Sequence, residues 1–352
     1  MAGRTPWMIY GANGYTGRLV AAEARRQGLH PVLAGRRAGP IAALAEELGL
    51  PARIFDLDDA AAALADMALV AHCAGPFAAT STPMIDACLA SRTHYLDITG
   101  ELDVFLAAQR RHAQALAAGI VICPGVGFDV IPTDCLAAVL KAALPDATHL
   151  ALAFDAGTRM SPGTARTMAD AFRHGRRGGR VRQNGVMVEV PFAHRRRRVD
   201  FTGGPAMAAT IAWGDLATAF VSTGIPNIET YAAVPLAAAI AGRALDWARP
   251  LLASGPIQIL LRRLADRSSG PSEAERRSGR ARFWGEVRNA AGERRTARLE
   301  TANGYRLTAD GTIMAAKWLL EHEPKGGYTT PSLLMGARCV EQLPGSTAIR
   351  VD

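Results

Sequence analysis

Through the first third of the chain, short and almost continuous apolar runs alternate with longer stretches in which apolar residues recur every three or four positions. Pro6–Ala12, His30–Gly35, Arg53–Phe55, Leu69–Cys73, His94–Ile98 and Ile120–Cys123 have the length and composition of strands buried on both faces. Between them Arg18–Gln27, Pro40–Leu48, Pro83–Ala90 and Glu101–Ala118 read as helices, with one more before the fourth strand. Strands regularly separated by helices predict an α/β fold built on a doubly wound parallel sheet. Ligands of such sheets bind beyond the carboxyl ends of the strands, so Arg36, Asp56, Gly75, Asp97 and Pro124 are expected along one functional rim.

Further along, the pattern changes. Thr148–Asp155 alternates like a strand and precedes Ser161-Pro162-Gly163-Thr164, which reads as the start of a helix running to His174. Val186–Val190, Arg196–Phe201, Ile228–Val234, Arg282–Arg288 and Thr296–Thr301 are strand-like, with Asn289–Gly292 as a hairpin turn. Helices are predicted from Asp310 to His322 and from Pro331 to Leu343. Strands in succession with flanking helices indicate an α+β domain. The apolar, arginine-dotted segment 235–267 leaves three readings open: packed core or dimer-interface helices, the lining of an acyl-chain tunnel, or a membrane-surface helix. Arg267–Arg280, rich in Ser, Gly, Pro and charge, reads as a loop.

The 352 residues exceed what one core usually serves, so two domains are expected: 1–130 with 325–352 returning to it, and 131–324. With 49% apolar and 20% charged residues the chain has the balance of a globular enzyme. It contains no uninterrupted apolar run long enough to span a bilayer, and Met1 leads straight towards the first strand with no room for a signal peptide. A cytoplasmic protein is expected. Cys73, Cys88, Cys123, Cys135 and Cys339 form no Cys-x-x-Cys pair and read as buried thiols, and no His/Cys cluster has metal-ligand spacing. The formal charge of +8 owes much to the arginines between Arg173 and Arg198. Without interleaved aromatics this excludes nucleic acid as the favoured partner, and leaves a solvated basic face or a docking site for an acidic protein.

Candidate chemistry begins at Gly11-Ala12-Asn13-Gly14-Tyr15-Thr16-Gly17, between the first strand and the first helix, where a dinucleotide loop belongs. Gly11 permits the tight turn, Gly14 lets the backbone approach a pyrophosphate, and Gly17 lets the helix pack on the strand. Amides at the helix start, at its positive dipole end, hold phosphates. The second strand ends in Arg36-Arg37, where an NAD-binding loop has an acid for the ribose hydroxyls. Two guanidiniums instead fit a 2′-phosphate. One such charge-assisted bond, worth roughly 1.5–3 kcal/mol, favours NADP(H) over NAD(H) by about 10–100-fold. The first domain therefore reads as a Rossmann domain for NADP(H).

His72-Cys73-Ala74-Gly75-Pro76-Phe77, Tyr95-Leu96-Asp97-Ile98-Thr99-Gly100-Glu101 and Pro124–Asp134 make the chain resemble the saccharopine dehydrogenase-like oxidoreductases, in particular the branch that includes bacterial trans-acting enoyl reductases. The likeness covers the first ~135 residues well and is looser at Ser161–Thr164 and Gly326–Pro331. It implies a mixed-sheet substrate domain inserted before a final helix that returns to the Rossmann domain, and NADP(H) use. Together with the loop and rim, it gives the cofactor set Gly11, Asn13, Gly14, Tyr15, Thr16, Gly17, Arg36, Arg37, Asp56, Cys73, Ala74, Gly75, Pro76 and Phe77.

Nicotinamide carries the hydride, so the protein has only to place a substrate and manage charge and protons. Tyr95, Asp97 and Asp129 are the catalytic candidates; Thr99, Glu101, Thr133, Arg159, Thr164 and Arg166 are the substrate candidates. Each has a plainer reading: Thr99 and Asp129 as helix caps, Glu101 and Asp134 as first-turn acids, His72 as a packed ring, and the arginines as surface. The leading expectation is NADPH-dependent reduction of an activated C=C bond in a CoA- or carrier-bound enoyl thioester, with an acidic carrier protein as a candidate partner and a homodimer as a candidate assembly. Its rivals are an imine or amino-acid dehydrogenase, and a non-catalytic NADP-binding sensor or membrane-associated scaffold.

Overall fold

The computed structural model describes residues 6–157, 179–235, 254–255, 257 and 270–352. The chain divides into two compact units, Met1–Ile131 with Tyr305–Met335, and Pro132–Gly304 with Gly336–Asp352.

In the first unit, strands β1 (Trp7–Tyr10), β2 (Val32–Gly35), β3 (Ala52–Ile54), β4 (Leu69–His72), β5 (His94–Asp97), β6 (Val121–Cys123) and β15 (Gly327–Tyr328) form one parallel sheet. Its order is β3-β2-β1-β4-β5-β6-β15. Every residue of β1 and β4 is buried, as expected of strands covered on both faces. The direction of winding reverses between β1 and β4, whose register runs from Trp7 beside Leu69 to Tyr10 beside His72. The segments leaving these two strands therefore flank the crevice where such sheets take ligands.

Helices α1 (Tyr15–Arg26), α2 (Ala38–Leu48), α3 (Ala60–Ala63), α4 (Phe77–Ser91), α5 (Leu102–Gln109) and α6 (His112–Ala118) connect the strands. Two of them depart from the sequence pattern. α4 starts six residues before the expected Pro83 and carries that proline inside it. The helix expected over Glu101–Ala118 is two helices, separated by Arg110 and Arg111.

The second unit holds a mixed nine-stranded sheet. Its strands are β7 (His149–Asp155), β8 (Gly179–Gln183), β9 (Val186–Val190), β10 (Arg196–Phe201), β11 (Gly204–Ile211), β12 (Asn227–Ala233), β13 (Arg280–Arg288), β14 (Arg294–Ala302) and β16 (Arg350–Val351). The main path is β10-β11-β12-β7-β13-β14-β16, with β8 and β9 attached beside β12. The sheet is rolled, so that β10 at one edge is met by side chains from β13 and β14. The Arg197 guanidinium lies 4.4 Å from the centre of the Trp284 ring and pairs with Glu286 at 3.3 Å, while Arg298 donates to the Asp200 carbonyl and carboxylate at 2.8 and 2.9 Å. Inside the roll lie Ala151, Ala153, Val199, Phe201, Ala208, Tyr231 and Trp284. Helices α7 (Ile131–Ala143), α8 (Asp215–Thr223) and α9 (Glu273–Ser278) accompany this sheet among the described residues.

The end of the chain corrects two expectations. The helix expected from Asp310 is α10 (Gly304–Glu321), and the one expected over Pro331–Leu343 is the single turn-and-a-half of α11 (Pro331–Met335). The return to the first unit spans Tyr305–Met335 rather than 325–352; the last residues belong to the second unit, where Ala297 and Arg298 of β14 pair with Val351 and Arg350. The helix expected from Ser161 to His174 and almost all of the segment 235–267 lie outside the described residues.

Candidate cofactor and active site

At the carboxyl end of β1, Gly11 adopts φ +79°, and a Cβ placed on it would lie 2.7 Å from the Ala74 Cβ and backbone nitrogen. Only glycine lets the first loop and the loop after β4 come this close. Gly17 is closed off by the Gly11 carbonyl and by Ala12 Cα at 2.9 Å, so α1 seats directly on the turn. α1 has no side-chain cap and no acid in its first turn, so its positive dipole end is not met by an acid of its own. Asn13, Gly14, Tyr15 and Thr16 are all partly exposed there, and the Asn13 side chain stands beside Gly35.

α2 begins similarly, with no side-chain cap and no acid in its first turn, directly after Arg36 and Arg37. Both arginines are exposed, and neither guanidinium makes an ion pair or hydrogen bond with a described residue. Arg36 and Asp56 both act on the Tyr10 hydroxyl, whose pKa is raised by burial and by the Asp56 charge and drawn back by Arg36. The ends of β1, β2 and β3 thus meet around Tyr10, which packs on Phe55 at 4.9 Å between ring centres. The Asp56 carboxylate accepts from Leu57 N–H at 2.8 Å.

The turn after β4 is held from below. Cys73 is buried, and burial with the nearby Asp97 charge pushes its thiol up to about 12. Ala74 and Phe77 are partly exposed and Gly75 and Pro76 exposed, with a cis peptide bond between the last two. Thr80 donates to the Ala74 carbonyl at 2.7 Å, and His72 Nε2 lies 2.9 Å from the same hydroxyl. From the loop after β5, Glu101 accepts the Phe77 and Ala78 N–H groups at 3.0 and 2.8 Å. The start of α4 therefore already holds a carboxylate, whereas the starts of α1 and α2 do not. Glu101, expected to meet substrate, is engaged as a cap donated by a distant loop.

Tyr95 and Asp97 are wholly buried. Tyr95 donates its hydroxyl to Asp97 at 2.7 Å, and the other carboxylate oxygen accepts Thr99 N–H at 3.0 Å and Gly125 N–H at 2.8 Å. Burial raises the Asp97 carboxyl to about 6, against the pull of these donors. This network fixes the loops after β5 and β6 to one another, and Val126 N–H reinforces it by donating to the Asp97 carbonyl. Thr99, also fully buried, accepts from Glu101 N–H at 3.0 Å. Tyr95, Asp97 and Thr99 thus stand behind the rim rather than on it. Asp129 differs. It is partly exposed, and Gly100 leaves room for its carboxylate, since a Cβ there would lie 2.6 Å from Asp129 Oδ2. Burial of the carboxyl end pushes its pKa up to about 7.

Among the remaining candidates, Thr133 is buried in the second unit and donates to Asp215 at 2.6 Å, an internal bond in place of the expected substrate contact. Arg159, Thr164 and Arg166 lie outside the described residues. The arginine run is split by strand alternation: Arg195 pairs with Glu229 and Arg197 with Glu286, while Arg196 and Arg198 are exposed. Among the described residues no group of three or more His, Cys, Asp or Glu side chains is arranged to hold a metal, and no helix is long and apolar enough to cross a membrane. Thr80 and Thr308 were not expected at the site. Thr308 accepts Phe128 N–H at 3.0 Å beside Asp129, and nothing in the local sequence marks a partner so far along the chain.

A glycine turn at the switch point of a doubly wound sheet, with two uncapped helix starts on its rim, defines a dinucleotide-binding domain. Residues 7–123 match the family described as saccharopine dehydrogenase NADP binding domain, and NADP(H) is the cofactor of this domain. A putative trans-acting enoyl reductase of Mycobacterium tuberculosis is 33% identical over 139 residues, covering 36% of this chain and 33% of that protein. The saccharopine dehydrogenase-like oxidoreductase of Bos taurus is 30% identical over 151 residues, covering 36% of this chain and 35% of that protein. The chain thus matches only about a third of the length of these relatives. Among solved structures, the apo saccharopine dehydrogenase (L-Glu forming) of Saccharomyces cerevisiae is similar over 99% of both chains, with a TM-score of 0.64 and 12% identity, a likeness of fold.

Proposed function

We propose that this protein is an NADPH-dependent oxidoreductase that reduces an activated C=C bond of an acyl thioester. The observation that carries the cofactor half is the pairing of two open helix starts with Arg36, an exposed guanidinium without a protein partner among the described residues. In this reading the leading amides of α1 would hold the pyrophosphate, and Arg36 with the start of α2 would hold the 2′-phosphate. The substrate half draws on the name of the mycobacterial relative, a putative trans-acting enoyl reductase, whose match covers the cofactor domain.

When bound, the nicotinamide supplies a hydride, which an enoyl thioester accepts at its β-carbon. The negative charge then developing on the thioester oxygen and α-carbon calls for a proton. Asp129 supplies it: burial raises its carboxyl to about 7, so a substantial share is protonated at neutral pH, and the residue as a whole is partly exposed. Tyr95, Asp97 and Thr99 position the loop that carries it. The exposed Arg196 and Arg198 of β10 suit an acidic carrier protein delivering the acyl group.

The cofactor assignment is tested by Arg36→Asp, which should lower the preference for NADPH over NADH by about 10–100-fold in direct binding. An unchanged ratio removes Arg36 from the 2′-phosphate site. The reaction is tested by following NADPH oxidation with crotonyl-CoA against a 2-oxo acid plus amine. Turnover only of the latter replaces the enoyl reading with imine reduction.

A further inference from the structure

α10 lies outside the segment that matches the NADP-binding family, yet side chains tie it to both ends of α1. At one end the Tyr305 ring meets Tyr15 edge to face, with 5.1 Å between centres and an interplanar angle of 80°. At the other, Lys317 donates to Gln27 at 2.9 Å. Twelve residues separate the two contacts on either side, from Tyr15 to Gln27 and from Tyr305 to Lys317, so α10 runs in the same direction as α1 and Tyr305 meets its amino end. A second fixture sets the depth of α10: Thr308 accepts Phe128 N–H at 3.0 Å, and its side chain fills the space against Gly127.

This arrangement brings an aromatic ring from far along the chain to the first helical residue of the glycine loop. Tyr15 is flanked on one side by Gly14 and the leading amides of α1 and on the other by Tyr305, and both rings are partly exposed. An edge-to-face pair restricts the Tyr15 ring to one orientation at the mouth of the loop.

We propose that Tyr305 is a cofactor-site residue: paired with Tyr15, its ring closes the open side of the glycine loop and holds the pyrophosphate–ribose segment of bound NADP(H). The proposal rests on the cofactor reading above and extends it to a residue contributed by the returning helix. The pair acts on the part of the ligand that NADPH and NADH share, so its loss weakens both alike. Arg36 acts only on the 2′-phosphate and changes their ratio.

The test is direct titration of NADPH and NADH, by nicotinamide fluorescence, against the full chain and three variants. Tyr305→Ala should raise both dissociation constants by the same factor, about tenfold, the order of one aromatic pair with its packing. Tyr305→Phe, which keeps the ring, and Lys317→Ala, which loosens α10 at its far end, should each stay within about twofold of the parent, a change too small to represent a lost contact. The proposal is overturned if Tyr305→Ala also stays within that range, or if Lys317→Ala weakens binding as much, which would make the effect one of helix attachment. Should the alanine variant not fold, Tyr305→Leu is judged by the same criterion. A parent protein that binds neither nucleotide overturns the cofactor reading itself, and this proposal with it.

Discussion

His72 shows what a buried titratable ring does behind a rim. It is enclosed by Tyr10, Phe77 and Tyr95, and burial lowers its pKa to about 3. The single Thr80 hydrogen goes to the Ala74 carbonyl, so His72 Nε2–H is the donor between them and Nδ1 is left buried without a partner. Because the folded value lies below the unfolded one near 6.5, the neutral ring stabilises the fold above that pH. The contribution is lost as pH falls from 6.5 towards 3. Between pH 7 and 4.5, urea unfolding of the parent should therefore lose about 2–3 kcal/mol more than that of His72→Phe, which cannot titrate. Equal losses would mean that the ring is not held neutral. Asp97 has the opposite sign, since its raised carboxyl favours the folded state as pH falls through about 6, but it is present in both proteins and cancels. The sequence made His72 legible as a packed ring. Its bond to Thr80 was not, because a helix beginning only at Pro83 left Thr80 in a loop.

At the scale of elements, buried runs such as β1 and β4 were read almost to the residue, because a short continuous apolar run bounded by turn residues is the signal of a strand covered on both faces. β8 and β11 were not. Gly179–Gln183 has Val181 as its only apolar side chain, and Gly204–Ile211 opens with Gly-Pro and is mostly small residues; strand propensity is low over most of both, and pairing with neighbours imposes the extended form. The start of α4 was missed for a related reason: its cap comes not from the preceding residues but from Glu101. Removing that carboxylate in Glu101→Ala should cost about 1–2 kcal/mol of stability, in the range of lost helix caps. It should also weaken NADPH binding, since the Ala74–Phe77 turn loses its support. Thermal melts and the titration above check both effects, and unchanged values in both would show that Glu101 holds nothing.

The whole molecule is less divisible than its sequence. The matched segment 7–123 contains the glycine loop, Arg36 and the turn after β4, yet the first unit also requires α10 and the strand β15, which lies beside β6. A fragment ending at Ile131 would expose the β6 edge and the ground of α10 while keeping every residue of the family match. It is expected to give a molten or aggregated product by circular dichroism and size exclusion; a monomer that binds NADPH would show that the return is dispensable. A change from an α/β to an α+β pattern was legible because strand spacing changes partway along, while the mixed character of the second sheet came only with the family resemblance. The return through Tyr305–Met335 was not legible, because β15 is only two residues long and carries no periodic signal.

The close approach of Gly11 to Ala74 has a consequence for how this site can change over generations. A side chain at position 11, or a bulkier one at 74, would push apart the two loops that flank the crevice. The substitutions open to each position therefore depend on what occupies the other, and their effects should not add. To selection they are a single locus, and a redesign of the cofactor preference at Arg36 can proceed without touching it.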